Sequence, residues 1–353
     1  MKNSLAVLPG ACVLAFSFLL FTGSAPATGA SDSTGCESLA PTTKDELQPP
    51  TGESHDGTQI RAATERVEAT PETIAEAMGQ LERKAKEECR LWADKAFEEF
   101  ERSTYKEPFP GGKYIVSGDI AISGLARLRE FFETRIKREP PETVPGALIV
   151  HKVGGRNAIW DSARKKHLTY CVSSAFGDRK QRVIKDMKAA SGAWEEVADV
   201  QFTHVAAEDA DCTPDNANVV FDIRPVNVDG QYLARAFFPN EERAERNVLI
   251  DESSFHVDPD GALQLVGILR HELGHTLGWR HEHTRPESGT CFEDNNWRPL
   301  TDYDRFSVMH YPQCNGGADW SLKLTHVDKN GAACVYGPAP GFQVDPQICQ
   351  ERG

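Results

Sequence analysis

The chain has 353 residues and a formal net charge of −14, with 53 acidic against 39 basic side chains. That length can bury one large core or two modest ones. A polyanionic surface repels phosphate backbones, so nucleic acid is excluded as a natural partner.

The first residues read as a secretory signal. Lys2 precedes an apolar run from Leu5 to Phe21, broken at Pro9 and Gly10, and Gly23-Ser24-Ala25-Pro26-Ala27 follows. A positive start, a short apolar core and an Ala-x-Ala site predict a signal peptide over 1–27, cleaved after Ala27 or Ala30. The run is short for a membrane anchor and no basic stop follows it. A secreted chain without stable membrane insertion after signal removal is expected, and Ser33-Thr34-Gly35 is a poor lead-in for a lipoprotein at Cys36. Of nine cysteines, Cys12 leaves with the signal. An even remainder in an exported chain favours disulfides. Cys291 with Cys314 and Cys334 with Cys349 are the most economical pairs, although spacing does not fix connectivity.

Residues 28–60 are rich in Ser, Thr, Pro, Gly and acid, and read as a flexible lead. Thr70-Pro71-Glu72 then looks like a helix start. Ile74, Met78, Leu81, Ala85, Cys89, Trp92, Ala96 and Phe100 follow at helical spacing. Pro108 to Gly112 ends that pattern. Tyr114-Ile115-Val116 reads as a short strand, and Ser123 as the cap of a helix carrying Leu125, Leu128, Phe131, Phe132 and Ile136. Glu139-Pro140-Pro141-Glu142 reads as an exposed linker. Residues 61–145 are accordingly a helical pro-segment or an accessory region, and 146–353 a second unit.

In that unit strand and helix signals alternate. His167–Ser173, Val200–His204, Asn218–Ile223 and Asn247–Ile250 read as strands, and Asp178–Val197 and Leu263–Gly278 as helices. Beyond residue 282 the chain is rich in Gly, Pro and Cys, with one periodic segment near Thr325–Tyr336.

The chemistry concentrates in His271-Glu272-Leu273-Gly274-His275-Thr276-Leu277-Gly278-Trp279-Arg280-His281. Residues four apart on a helix stack on one face, so His271 and His275 can reach one ion. Glu272 lies about 100° around the axis, beside the ion rather than on it. Gly278 can leave the helix through a conformation that a Cβ resists, returning the chain to deliver His281. Three imidazoles with an open fourth position are a catalytic zinc arrangement. Such a site activates water for attack on a peptide carbonyl, with Glu272 as general base.

This stretch resembles the metzincin zinc peptidases, whose pattern is H-E-x-x-H-x-x-G-x-x-H followed by a Met-turn. Ser307-Val308-Met309-His310-Tyr311-Pro312 is similar to that turn, and the resemblance implies that Met309 floors the zinc site. Arg280-His281-Glu282-His283-Thr284-Arg285-Pro286 looks like the astacin branch, with Trp279 where Phe is common. By that resemblance Tyr311 stabilises the oxyanion, and Glu282 anchors a new N-terminus after activation. Trp160, Leu168-Thr169-Tyr170 and Trp194-Glu195 resemble the opening strand and first helix of that domain, and Ala234–Pro239 with Val248–Asp251 fall where an edge strand would line the cleft. Val116-Ser117-Gly118-Asp119 resembles the Phe-x-Gly-Asp motif of astacin propeptides, with Val for Phe. There the carboxylate fills the open zinc position, which makes Asp119 a candidate zymogen switch. A plain turn at Gly118-Asp119, or a thiolate switch from Cys89 or Cys36, stays open.

The expected fold is α+β. A helical N-terminal segment precedes a metzincin catalytic domain with a twisted mixed five-stranded sheet, a backing helix, an active-site helix and an irregular, disulfide-braced lower part. The expected function is a secreted zinc endopeptidase acting on polypeptides, with Zn2+ as cofactor. A non-catalytic zinc-binding extracellular module and a peptidase of the matrixin branch are the alternatives.

Overall fold

A computed structural model describes residues 96–136, 147–256, 263–289, 291, 297–317 and 320–348. The signal peptide, the flexible lead, the start of the first helix, the 139–142 linker and Cys349 lie outside the described residues. Elements below are numbered along the chain.

The N-terminal part begins with helix α1, described over 96–103. Strands β1 (Tyr105–Lys106), β2 (Tyr114–Val116) and β3 (Ile120–Ile122) form an antiparallel sheet, and helix α2 (Gly124–Ile136) follows. Phe97 of α1 meets Phe132 of α2 edge to face, and Leu128 and Phe131 of α2 close over Val116, Ile120 and Phe238. Ser123, expected to cap α2, donates its hydroxyl to Glu245 Oε2 at 2.5 Å.

The main sheet has five strands in the order β7-β6-β8-β10-β9. They are β6 (Leu168–Val172), β7 (Phe202–His204), β8 (Phe221–Val226), β9 (Ala234–Arg235) and β10 (Asn247–Asp251). The first four in that order are parallel, and β9 runs antiparallel on β10 at the edge, Leu249 opposite Arg235. Parallel strands carry near-continuous apolar runs because both faces are covered, and all five residues of β10 are buried. Strand β8 starts later than expected and runs through Pro225. That proline pairs only with Ile250 of β10, beyond the last β6 partner at Ile223, so its missing N–H costs the β6 side nothing.

Two helices lie on one another behind the sheet. Helix α3 (Lys180–Glu195) buries Val183, Met187, Ala190 and Trp194, one stripe at helical spacing. Helix α4 (Leu265–Thr276) is buried almost all round. The Trp194 indole N–H donates to the Arg270 carbonyl at 3.0 Å, which fixes α3 against α4. Short patterning hid a second small sheet. Strand β4 (Ala147–Val153) pairs with β5 (Arg156–Asn157) and β11 (Trp297–Thr301). It also binds the chain just past α4, because His151 N–H donates to Gly278 O (2.8 Å) and Arg280 N–H to Ile149 O (2.9 Å). Helix α5 (His326–Tyr336) begins with a capping box formed by Thr325 and Asp328. Cys171–Cys212 and Cys291–Cys314 are disulfides, and Cys334 is also disulfide-bonded. Among the described residues no helix is long and apolar enough to cross a membrane.

Candidate metal centre

Helix α4 places His271 and His275 one turn apart, both buried. The helix ends at Thr276, two residues before the expected Gly278, whose φ of 96° is left-handed and whose Cβ, were there one, would collide with the Ala158 carbonyl oxygen. The returning chain delivers His281. Its Nε2 lies 3.2 Å from Nε2 of His271 and 3.2 Å from Nε2 of His275. His271 Nδ1 donates to the Val308 carbonyl and His275 Nδ1 to the Trp279 carbonyl, each at 2.7 Å. A carbonyl only accepts, so those neutral rings carry their proton on Nδ1 and turn a lone pair inward on Nε2. Lone pairs buried together repel unless a cation lies between them. Tetrahedral zinc with Zn–N of about 2.0–2.1 Å sets its nitrogens about 3.3–3.4 Å apart, close to the spacing found. The three imidazoles therefore fit zinc.

The fourth side of the cluster is taken by Asp119. Its Oδ2 lies 3.3 Å from His271 Nε2 and 3.8 Å from His275 Nε2, and its Oδ1 is 3.0 Å from His281 Nε2. The four side chains are all buried, and their ligand atoms lie within 4.8 Å of one another. Asp119 sits in the turn between β2 and β3, where Ser117 and Gly118 have φ of 52° and 95°. Burial pushes its carboxyl up, but the charge of His281 outweighs that and holds it well below the carboxylate range.

Glu272 is buried beside the cluster, and its Oε2 has no hydrogen-bond partner among the described residues. Burial pushes its carboxyl well up, the Asp119 charge adds to that, and His281 and Arg235 pull it back. Tyr311 lays its ring over His281 (centroids 4.6 Å) and His271 (5.4 Å). Its backbone N–H donates to His283 Nδ1 at 3.3 Å. Met309 is fully buried beneath α4. Glu282 is buried, its N–H donates to Met309 O (2.8 Å), its Oε1 accepts from Asp304 N–H (3.2 Å), and its Oε2 has no hydrogen-bond partner among the described residues. Burial pushes that carboxyl well up too. An open cavity of about 300 Å³ beside the cluster is lined by Glu272, Tyr311, Ala234, Leu263, Trp320 and Leu322.

Sequence reading missed three supports. A Cβ on Gly274 would collide with Met309 Sδ, so this glycine lets the methionine press against α4 between the two histidines. Asp328 accepts from Ser307 Oγ (2.6 Å) and Val308 N–H (2.8 Å) as well as capping α5. It thus anchors the turn whose Val308 carbonyl orients His271, and the Thr325-x-x-Asp328 capping box was its available signal. Phe238 packs edge-on to His275 at 5.5 Å, and no spacing rule would have found it.

Residues 160–288 match the Matrixin family of peptidases. Human stromelysin-3 is 33% identical over 104 residues, covering 29% of this chain and 21% of that protein. Astacin-like metalloprotease toxin 2 of Loxosceles intermedia is 33% identical over 91 residues, covering 20% of this chain and 36% of the toxin. The chain thus spans well under half the length of these curated relatives. The matched stretch is thus similar to metallopeptidases of metzincin type, and the buried imidazole cluster fits the zinc that such proteins use as cofactor.

Proposed function

We propose that the chain is a secreted, astacin-like zinc endopeptidase made as a zymogen. In this reading 1–27 is a signal peptide, 28–60 a flexible lead, 61–145 the pro-segment and 146–353 the peptidase unit. The observation that carries it is the Asp119 carboxylate, from the N-terminal part, against all three histidine Nε2 atoms. A carboxylate is a good oxygen ligand for zinc, and while it stays there a substrate carbonyl cannot enter. Disulfides such as Cys171–Cys212 suit an oxidising, extracellular compartment.

His271, His275 and His281 would hold the zinc, which supplies a Lewis acid that polarises a peptide carbonyl and acidifies the attacking water. Glu272, poised beside that position with a free Oε2, takes the proton and later passes it to the leaving amine. The Tyr311 phenol stabilises the oxyanion that develops at the carbonyl. Met309 keeps the floor of the site rigid, and Gly278 allows the turn that delivers His281. The unpartnered Glu282 Oε2 is the acceptor that would receive a new N-terminus once the pro-segment is cut. An extended polypeptide would pair with β9, the edge strand of the sheet. The cavity near Trp320 and Leu322 would take one of its apolar side chains.

Two substitutions test this. Glu272→Gln should keep zinc and lose cleavage of casein or gelatin; undiminished cleavage would end the general-base role and a non-catalytic zinc module would predict no cleavage from either form. Asp119→Ala should raise activity of the uncleaved chain at least about tenfold, since each 1.4 kcal/mol of lost latch opens the site by a factor of ten. A silent Asp119→Ala would end the switch. The Matrixin match over 160–288 favours a second reading, a matrixin-branch peptidase in which Tyr311 has no part in turnover.

A further inference from the structure

Four ties join the loop that leaves His281 to the loop that carries Tyr311. Glu282 N–H donates to Met309 O (2.8 Å), Tyr311 N–H to His283 Nδ1 (3.3 Å) and Asn315 Nδ2 to Ser288 O (3.0 Å), and the disulfide Cys291–Cys314 is the fourth. Ser288 Oγ donates back to His283 O at 2.8 Å, which stiffens the first loop around His283.

Two further imidazoles are buried in these loops, His283 and His310, and both hold the Tyr311 backbone. His283 takes its N–H. A lone pair must face that donor, so the neutral His283 ring carries its proton on Nε2. On the other side the Tyr311 carbonyl only accepts. His310 therefore donates to it from Nδ1 (3.0 Å) and turns Nε2 to the Tyr303 hydroxyl, which donates at 2.7 Å. Burial pushes the His310 imidazole down and favours this neutral form. Cys314 N–H is a second donor to the same carbonyl, at 3.0 Å. The His283 ring also stacks on His281 (centroids 4.6 Å) and on Tyr311 (4.9 Å). Water is kept from both imidazoles, so the polar contacts they make are costly to give up.

With its N–H and its C=O both held, the Tyr311 backbone is a fixed point, and the phenol is left only rotation about its side-chain bonds. Fixed placement matters because a misplacement of about 1 Å can cost about 10²-fold in rate. We propose that His283 and His310 are positioning residues for Tyr311, which pin its backbone from both sides and so set where its hydroxyl meets the developing oxyanion. The inference rests on the peptidase reading in which Tyr311 stabilises that oxyanion. Neither imidazole touches the reacting atoms. Losing one should cost part of what the phenol supplies, about tenfold in kcat, with little change in KM, because the interaction strengthens only as charge develops.

The test uses the zinc-loaded full chain after limited proteolysis of its N-terminal part, with loss of the Asp119-bearing fragment followed by mass spectrometry. His283→Ala should lower kcat about tenfold, leave KM within about twofold, and keep its zinc by atomic absorption. His283→Asn, whose Oδ1 takes the place of Nδ1 as acceptor, should recover most of the loss. Affinity for a phosphinic peptide, a tetrahedral analogue of the attacked carbonyl, should fall in step with kcat when measured by calorimetry. In a Tyr311→Phe background His283→Ala should have no further effect on kcat, since nothing is left to position. Tyr303→Phe, which removes the hydroxyl that seats His310 and keeps the ring, should lower kcat less, again at constant KM and zinc content, and serves if the His283 variants fold poorly. A full tenfold loss in the Tyr311→Phe background, loss of zinc from His283→Ala, or no recovery with asparagine overturns the positioning role and leaves the peptidase reading intact. If Tyr311→Phe itself turns over as wild type does, the oxyanion role of Tyr311 falls and the inference falls with it.

Discussion

Gly118 and Tyr311 touch so closely that a Cβ on Gly118 would come within 2.9 Å of Tyr311 Cε2 and 3.0 Å of its hydroxyl oxygen. Gly118 also has φ of 95°, which only glycine adopts readily. The turn that carries Asp119 therefore rests on the same tyrosine ring that covers His271 and His281. In the zymogen reading proposed above, the turn that would latch the site thus lies directly against the candidate oxyanion donor.

Replacing Gly118 with Ala should loosen the latch by about 1–2 kcal/mol through backbone strain alone. Basal peptide cleavage by the uncleaved chain should then rise roughly 5- to 30-fold. Equal rates for wild type and Gly118→Ala would show that the turn does not limit access.

Removing only the phenol oxygen of Tyr311 separates the two peptidase branches. Tyr311→Phe keeps the ring over the imidazoles, so zinc content measured by atomic absorption should hold. If the hydroxyl stabilises the oxyanion, kcat of the processed chain should fall about 10²- to 10³-fold. Wild-type turnover would favour the matrixin-branch reading.

The contact between the N-terminal part and residues 238–246 should weaken as pH rises from about 5 to 8. Glu241 faces Arg127 (3.3 Å), Lys113 (3.9 Å) and its neighbour Glu245, which itself accepts from Ser123 and pairs with Lys113. Burial, and then a proton shared with Glu245, push Glu241 up to about 7. A carboxyl whose pKa is raised on folding stabilises fully below its ordinary value near 4.5 and loses that contribution as pH rises through about 7. Glu245 is shifted the other way and loses its contribution only in acid. Urea midpoints of wild type and Glu241→Gln, compared pH by pH, should coincide near pH 4 and diverge in favour of the glutamine towards pH 8 (about one unit past the Glu241 value). A difference that does not change with pH would remove Glu241 as the source.

Gly274→Ala should damage the site from below. The new methyl group would collide with Met309 Sδ and come to 3.4 Å from Trp194 Cζ2, inside a closed core. Overpacking of this kind costs about 1–3 kcal/mol, which lowers Tm by roughly 2–10 °C in a unit of this size. Zinc affinity should fall with it, since α4 must shift to make room. A melt and a chelator titration indistinguishable from wild type would show that Met309 adapts freely.

Some of this was decided locally. Four-residue spacing puts His271 and His275 on one face of any helix, Glu272 follows by rotation, and Gly278 permits the exit that brings in His281. Helices α3, α4 and α5 were legible because apolar periodicity is a short-range signal. The Gly118-Asp119 turn was visible as a motif, but its place at the histidines depends on how β2 and β3 dock. Strands β4, β5 and β11 are short or lack alternation, and only their partners define them, whereas edge strand β9 lies within the stretch 234–239 where the family resemblance put one. The buried ion pair of Glu107 with Arg235 joins residues 128 apart, and nothing near either one distinguishes it among 53 acidic and 39 basic side chains. Burial selects that pair: once water is excluded, each charge must find its partner, and only the folded chain brings the two together.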